Sequence, residues 1–324
     1  MQNFCLKLIV LSVIVSYGSI SAFAWDEVGH KLTGIIAWQH MTPEVREKAF
    51  KILNSAPENS DLNVLYNRFS PRSERVKKME LFMYATGWSD VIRNRTFKVR
   101  HKTYNHGDWH YADIFWKQAN GKAVMLENFP EKGGKAIKKL YDFEKIMRSS
   151  TYKNEEKAIA LAWFLHVGGD IHNPVHNASR VTKLSLKGDR GGNRFMLIPR
   201  TENQRGLNLH SYWDSIITRN IRRKNDACDT DYILPIAKKI TKKYPYSKLK
   251  NDLKLTDYKE WNMEGYKLLN EVVYTPNLVR NKFPPKKYNK KAYKVALKQF
   301  ALAGYRLGES LNMFFRDKQS KSTK

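Results

Sequence analysis

Apolar residues recur at helical spacing along most of this chain. From Glu27 to Met41 they fall at Val28, Leu32, Ile35 and Ile36, one face of a helix. Thr42-Pro43-Glu44 then reads as an N-cap, a proline at the first helical position and an acidic first turn, opening a second helix to about Leu53. Residues 55–73 are polar, carry Pro57 and Pro71, and read as a loop. The helical pattern returns from Glu74 to Trp88. Residues 117–135 hold Gly121, Pro130, Gly133 and Gly134 and read as an exposed connection. Asn154-Glu155-Glu156 caps the most apolar helix, which runs to about Ile171 and is stopped by Pro174. Arg180 to Gly192 reads as a loop, and Asn193 to Ile198 as one short strand. Further helices are expected over 207–222, 232–243, 257–272 and 289–315, followed by a flexible basic tail at 316–324. The pattern predicts an all-α fold. No internal repeat and no linker rich in Pro, Gly and Ser interrupts it, so residues 25–315 read as a single compact domain.

The first 24 residues read differently. Lys7 supplies a positive charge, Leu8 to Tyr17 is almost uninterruptedly apolar, and Ala22-Phe23-Ala24 is a small-x-small cleavage site. The run is short for a bilayer span, and no second long apolar run follows. These features predict a signal peptide over 1–24, cut before Trp25, and an exported protein, secreted or periplasmic, whose mature chain has no membrane span. Cys5 leaves with the signal, so Cys228 is the one thiol of the mature chain and no internal disulfide can form. Rigidity must come from another source, and bound metal is one. The hydrophobic share of 42% excludes a disordered chain. Lys and Arg number 58 against 31 Asp and Glu, a formal charge of +27, which favours a polyanionic partner. No segment calls for an obligate protein partner.

Histidine and aspartate carry the candidate chemistry. His166 and Asp170 stand four apart in the most apolar helix and so share one face. His176 follows the Asn173-Pro174 break, where the chain can fold back. His172 points elsewhere and is set aside. His210 and Asp214 repeat the four-residue spacing. Trp109-His110-Tyr111-Ala112-Asp113, Trp88-Ser89-Asp90 and His30 add further imidazoles and carboxylates. Together these suit zinc. A lone His-x-x-x-Asp is ordinarily a solvated or capped pair. Two of them, one in an apolar helix where unpaired charge is costly, favour metal. His40, His101, His106 and His172 read as ordinary surface or supporting residues.

These motifs together resemble the zinc-dependent single-strand nuclease and 3′-nucleotidase family, the type that includes mung bean nuclease. The mature start Trp25-Asp26-Glu27-Val28-Gly29-His30 matches, as do Trp88-Ser89-Asp90-Val91-Ile92-Arg93 and His110-Tyr111-Ala112-Asp113. The strongest match is His-x-x-x-Asp-x-His-x-Pro-x-His from His166 to His176, then Gly191-Gly192-Asn193, then Asn208-Leu209-His210-Ser211-Tyr212-Trp213-Asp214. Leu302 to Leu307 matches a C-terminal helix, so the resemblance spans residues 25–312 in order. It implies the mainly helical fold shared by zinc phospholipase C and these nucleases. It also implies three zinc ions: one on Asp90, His110 and His166, a second on the Trp25 amine and carbonyl with His30, and a third on His176, His210 and Asp214. Asp170 would bridge the first two. The implied reaction is in-line attack of a zinc-bridging hydroxide on phosphorus, aided by Arg93, with Asp90 orienting the nucleophile. Single-stranded DNA and RNA would yield 5′-nucleotides, and 3′-mononucleotides would lose phosphate. Tyr111, Asp113 and Asn193 would hold the base, although a packed aromatic and a loop cap are the plain readings of Tyr111 and Asn193. The basic stretches at 235–250 and 276–294 would track phosphates or simply face solvent.

Two other functions fit part of this picture. A zinc phospholipase C has a longer gap from its N-terminal Trp to the first histidine and ends its last ligand pair in Glu, where this chain has Asp214. A non-catalytic basic nucleic-acid-binding protein could keep zinc only for folding, but here every ligand position is filled.

Overall fold

The computed structural model describes residues 25–223 and 229–316. The expected signal peptide at 1–24, Cys228, and the tail beyond Arg316 lie outside them. Thirteen α-helices and five short strands make up the described residues, so the fold is mainly helical, as the apolar spacing predicts.

Helix α1 (Glu27–His40) begins where the Asp26 side chain accepts from the Gly29 N–H at 3.0 Å. It ends at an extended Met41, after which Thr42 caps α2 (Pro43–Asn54) by accepting from the Val45 N–H. Gly29 to Trp38 are all buried, so α1 is a core helix covered on every side. Lys31 is buried with the rest and is neutralised by Glu27 and by Asp229 at 2.5 Å. Helix α3 (Glu74–Ala85) stops short of the expected Trp88. Gly87 separates it from a one-turn helix, α4 (Trp88–Val91), which turns Asp90 inward.

Three helices carry no assignment in the sequence reading: α5 (Lys98–Tyr104), α6 (Ala136–Arg148) and α11 (Tyr246–Leu249). Helix α6 buries Ala136, Leu140, Phe143 and Met147, a regular helical stripe within a lysine-rich stretch. The expected connection at 117–135 is also more ordered than its composition suggests. Strands β1 (Ile114–Ala119) and β2 (Lys122–Met125) pair antiparallel across Asn120-Gly121, both at positive φ, the two-residue turn such a dipeptide favours.

Helix α7 (Asn154–Asp170) is buried without a break from Ala160 to Asp170. Glu156 reaches back to accept from the Lys153 N–H at 3.0 Å and fixes its start. A 3₁₀ turn over Pro174–His176 follows, and β3 (Ala178–Arg180) then runs parallel to β1. Strand β4 (Met196–Ile198) sits inside the expected 193–198 strand and pairs with β5 (Leu207–Asn208). The expected helix at 207–222 is therefore shorter and divided. The Asn208 side chain caps α8 (Leu209–Asp214), a turn at Ser215 ends it, and α9 (Ile216–Asn220) follows.

From Asp229 onward the described residues are mostly helical: α10 (Asp229–Lys243), α11 (Tyr246–Leu249), α12 (Tyr258–Leu268) extended by a π turn to Val273, then an irregular segment over 274–285 and α13 (Lys286–Phe315). Helix α13 lies directly against α1. A Cβ on Gly304 would stand 2.4 Å from Ile36 Cβ, and one on Gly308 2.9 Å from the Ala37 carbonyl, so only glycine permits this approach. Two apolar cores flank α1, one built on Leu32, Ile35 and Ile36 and the other on Ala37 and Trp38. The C-terminal end of α7 emerges between them, and the candidate chemistry collects there.

Candidate metal centre and substrate cleft

Asp170 closes α7 with both carboxylate oxygens inside the protein. Its Oδ1 stands 3.2 Å from His30 Nε2 on α1. Its Oδ2 stands 3.2 Å from His166 Nε2 one turn earlier and 3.3 Å from His110 Nδ1 in the segment before β1. Asp90 on α4 completes this group, 3.9 Å from the same three imidazoles. Asp170 thus divides its oxygens between two sets of nitrogens. A second group lies nearby: His176 Nε2 and His210 Nε2 each stand 3.7 Å from the Asp214 carboxylate. All eight side chains are buried.

The neighbouring backbone fixes three of the five rings. His166 Nδ1–H donates to the Thr86 carbonyl at 2.7 Å, His176 Nδ1–H to the His110 carbonyl at 2.8 Å, and His210 Nδ1–H to the Gly191 carbonyl at 2.9 Å. Each bond turns Nε2 toward the cluster, the arrangement by which a protein orients a metal-binding imidazole. Asn173 Nδ2 donates to Asp214 Oδ1 at 2.9 Å and orients that carboxylate. Gly191 has φ +60, and a Cβ there would stand 1.9 Å from the Val175 carbonyl and 3.1 Å from His210 Nδ1. Only glycine lets this loop close on His210.

The electrostatics ask for a cation. Burial opposes the charge on Asp170, but His166, His110 and His30 outweigh it and hold the carboxyl well below its usual range. Burial, with the charge of His166, lowers both His30 and His110, and burial with His176 lowers His210 to about 3. Those imidazoles are neutral near pH 7, the state a metal ligand needs. Burial works against the charge of His176 too, yet Asp214 draws its pKa up to about 9. A proton there occupies the place of a cation.

The residues fit zinc. Polar atoms are seldom buried without partners. Yet His30 Nε2, both Asp170 oxygens, His176 Nε2 and Asp214 Oδ2 have no hydrogen bond of acceptable geometry among the described residues. At zinc–nitrogen and zinc–oxygen lengths, tetrahedral ligand atoms stand roughly 3.3–3.5 Å apart, close to the spacings above. Three groups could hold a metal ion: His30, His166 and Asp170; Asp90, His110 and His166; and His176, His210 and Asp214. Trp25, the remaining sequence candidate, is fully buried. Its indole Nε1–H donates to the Gly169 carbonyl at 3.0 Å, and the next residue's N–H donates to the Asp214 carbonyl at 2.9 Å. The start of the described chain is thereby held between α7 and α8.

A cleft of about 780 Å³ opens onto these clusters, lined by His110, His176 and His210 together with Arg93, Tyr111, Asp113 and Asn193. Every candidate named from the sequence therefore lies in the clusters or on this cleft, or is tied by hydrogen bonds beside them. Arg93 pairs with Asp90 at 3.2 Å. Gly133 and Gly134 pack directly beneath Tyr111 and Asp113: the Asp113 N–H donates to the Gly133 carbonyl, and a Cβ on Gly134 would meet the Tyr111 ring at 2.6 Å. Burial, reinforced by the Asp189 carboxylate, raises Asp113 to about 8. Asn193 lines the cleft, but its amide donates to the Arg190 carbonyl and its Oδ1 accepts from Asn208. It therefore also serves as the loop cap that its plain reading suggested. The sequence reading missed Lys132, Lys187 and Arg190, three cations on the cleft wall. Their only signal was a position beside glycines in polar loops.

No curated protein matches this chain by sequence. The S1/P1 nuclease family model, in contrast, matches residues 25–316, the whole span that carries the clusters and the cleft. The chain belongs to the S1/P1 nuclease family and is a nuclease with groups able to bind metal.

Proposed function

We propose that this protein is an exported, zinc-dependent phosphodiesterase that cuts single-stranded DNA and RNA to 5′-nucleotides and removes phosphate from 3′-nucleotides. One observation carries the reading: unpartnered buried nitrogens and carboxylate oxygens converge at the end of α7, behind a cleft lined by His110, His176 and His210 and by the cations Arg93, Lys132, Lys187 and Arg190, of which Lys187 pairs with Glu131. Asp90, His110 and His166 would hold one zinc, and His30 with the Trp25 amine and carbonyl a second. Asp170 would be shared between them, and His176, His210 and Asp214 would hold the third. When bound, zinc supplies Lewis acidity at the phosphate and lowers the pKa of water at the site.

The chain's own residues do the rest. Arg93, paired with Asp90 at 3.2 Å and on the cleft wall, would donate to a phosphate oxygen of the substrate. Lys132, Lys187 and Arg190 offset the charge of flanking phosphates. Tyr111 offers a ring face to a base, which requires that base to be unstacked and so favours single strands. Water attacks phosphorus in line, the bond to the 3′ oxygen breaks, and a proton returns to that oxygen. The products are a 5′-phosphate and a 3′-hydroxyl.

A phospholipase C reading is disfavoured by the short Trp25–His30 spacing and by Asp214 at the last ligand position. The test is product analysis of the zinc-loaded protein on single-stranded DNA, RNA, a 3′-mononucleotide and phosphatidylcholine in parallel. Cleavage of the first three with 5′-phosphate ends is expected. Release of phosphocholine alone, or binding of DNA without cleavage, overturns the reading.

A further inference from the structure

The loop between β3 and β4 holds two leucines in water beside the cleft. Thr182 and Ser185 pair backbone to backbone, at 3.3 and 3.0 Å, and put Lys183-Leu184 at the tip of a tight turn. Leu184 is 75% exposed and Leu186 73%, while Ser185 between them is buried. Lys183 and Lys187 flank the pair and are exposed, and Lys187 pairs with Glu131 at 3.3 Å on the side of the cleft.

The base of the loop is rigid. The Arg180 N–H donates to Asp189 Oδ1 at 2.9 Å, Tyr274 Oη–H to Asp189 Oδ2 at 2.6 Å, and the Arg190 N–H to Ser179 Oγ at 2.9 Å. A Cβ on Gly188 would stand 2.2 Å from Ser179 Oγ, so loop and strand lie in direct contact. The leucines are held outward by this frame.

The neighbouring segment before α13 continues the face. A shallow hollow of about 310 Å³ is lined by Lys183 and Leu184 from the loop and by Arg280 from that segment, with Arg180 and Asp189 on its floor. Both Asp189 oxygens are already engaged, by the Arg180 amide and by Tyr274. Val279, beside Arg280, is 48% exposed. Apolar and cationic side chains therefore meet here: Leu184 with Lys183 and Arg280 around the hollow, and the exposed Leu186 and Val279 close to them in sequence; Arg280 also donates to the Arg194 carbonyl at 2.6 Å, and Lys187 turns to the cleft.

Nucleic acid does not account for the apolar half of this pattern. Single strands are held by cations and by flat rings or guanidinium planes on which bases stack, and leucine offers neither. An anionic bilayer surface uses both halves. Lysine and arginine are drawn to its headgroups, and leucines gain by entering the acyl boundary. We infer that the loop Lys183–Lys187, with the Val279–Arg280 segment, docks on an anionic lipid surface and holds the enzyme there with its cleft at the edge of the contact.

The test is flotation of the full mature protein with vesicles of phosphatidylcholine alone and of phosphatidylcholine mixed with phosphatidylglycerol, at physiological salt. Cleavage of a dinucleotide and the melting temperature are measured alongside. Wild-type protein should float with the anionic vesicles and not with the neutral ones. Leu184→Ser combined with Leu186→Ser should weaken flotation by about tenfold or more and leave dinucleotide cleavage and melting unchanged. Failure of the wild type to float overturns the proposal. So does undiminished flotation of the double variant, which would reduce the effect to charge alone. Unchanged flotation with lost affinity for long single strands would assign the face to nucleic acid instead. The cleavage assay stands apart from these readouts, so failure here is distinct from failure of the nuclease reading.

Discussion

At the scale of single residues, Asp170 has the most demanding position. It is fully buried, held as a carboxylate, and its two oxygens face different imidazoles at 3.2–3.3 Å. Asp170→Asn keeps the shape and removes the charge. Cleavage should fall by on the order of a hundredfold or more, with loss of zinc that elemental analysis will read; normal turnover with full zinc would refute a shared carboxylate. Tyr111→Ala tests a different function, since it removes only a ring face. It should weaken nucleotide binding by about 1–3 kcal/mol, seen as a raised KM with kcat little changed. Asp113 makes a pH-dependent prediction for the metal-free protein. Its pKa rises from the ordinary 3.8 to about 8 on folding, so the native state retains a proton that the unfolded chain loses. Stability must then decline as pH rises from about 4 to 8 and level off above. Asp113→Asn should remove much of that decline in melting temperature, and an unchanged profile would show that Asp113 titrates normally. The His–Asp spacings made the clusters legible in the sequence because helical periodicity fixes which residues share a face. The carbonyls of Thr86 and Gly191 that orient the rings were not legible, since a backbone acceptor leaves no mark in residue type.

Among the elements, the loop that ends in Gly191-Gly192 shows how local backbone geometry sets the third group. Gly191→Ala places a methyl into the Val175 carbonyl at a φ of +60. A strain of about 1–3 kcal/mol is expected, relieved by moving the loop off His210. The melting temperature should drop modestly, while zinc stoichiometry falls by one and activity falls with it. Retained stoichiometry would show that the loop does not position that ligand. Helix α7 is legible nearly to the residue because an acidic first turn opens it, a long apolar run follows, and Pro174 lies just past its end at Asp170. The errors lie where neighbours overrode a local pattern. Leu207 and Asn208 carry helical periodicity but pair with β4, and Ser215 breaks the helix beyond them. Helix α6 escapes the pattern because its lysines mask a regular apolar stripe, and the hairpin of β1 and β2 because the glycines of 117–135 read as an exposed connection rather than as a turn at Asn120-Gly121.

For the whole molecule, the clusters join α1, α4, α7, α8 and the segment before β1, so metal would tie together parts of the chain far apart in sequence. With Cys5 and Cys228 the only cysteines, no disulfide can do this within the described residues. Chelation of the proposed zinc should lower the melting temperature by roughly 10 °C, reversibly on adding zinc back. The N-terminus extends the same logic. Trp25 is locked in place by its indole on Gly169 and by the following N–H on Asp214, which sets its backbone beside both α7 and the third group. The proposed cleavage before Trp25 would leave a free amine there. Such an amine has a pKa near 8 and gives up its proton to zinc at modest cost. The amide of an uncut chain has no available lone pair, and Ala24 would crowd the site. A form that retains Met-Ala before Trp25 should therefore fold, with its buried indole contact intact by tryptophan fluorescence, yet hold less zinc and cleave slowly. Trimming it to Trp25, verified by mass spectrometry, should restore zinc and rate together. Equal zinc and equal rate in the two forms would remove the amine from the ligand set and leave that metal to His30 and Asp170 alone.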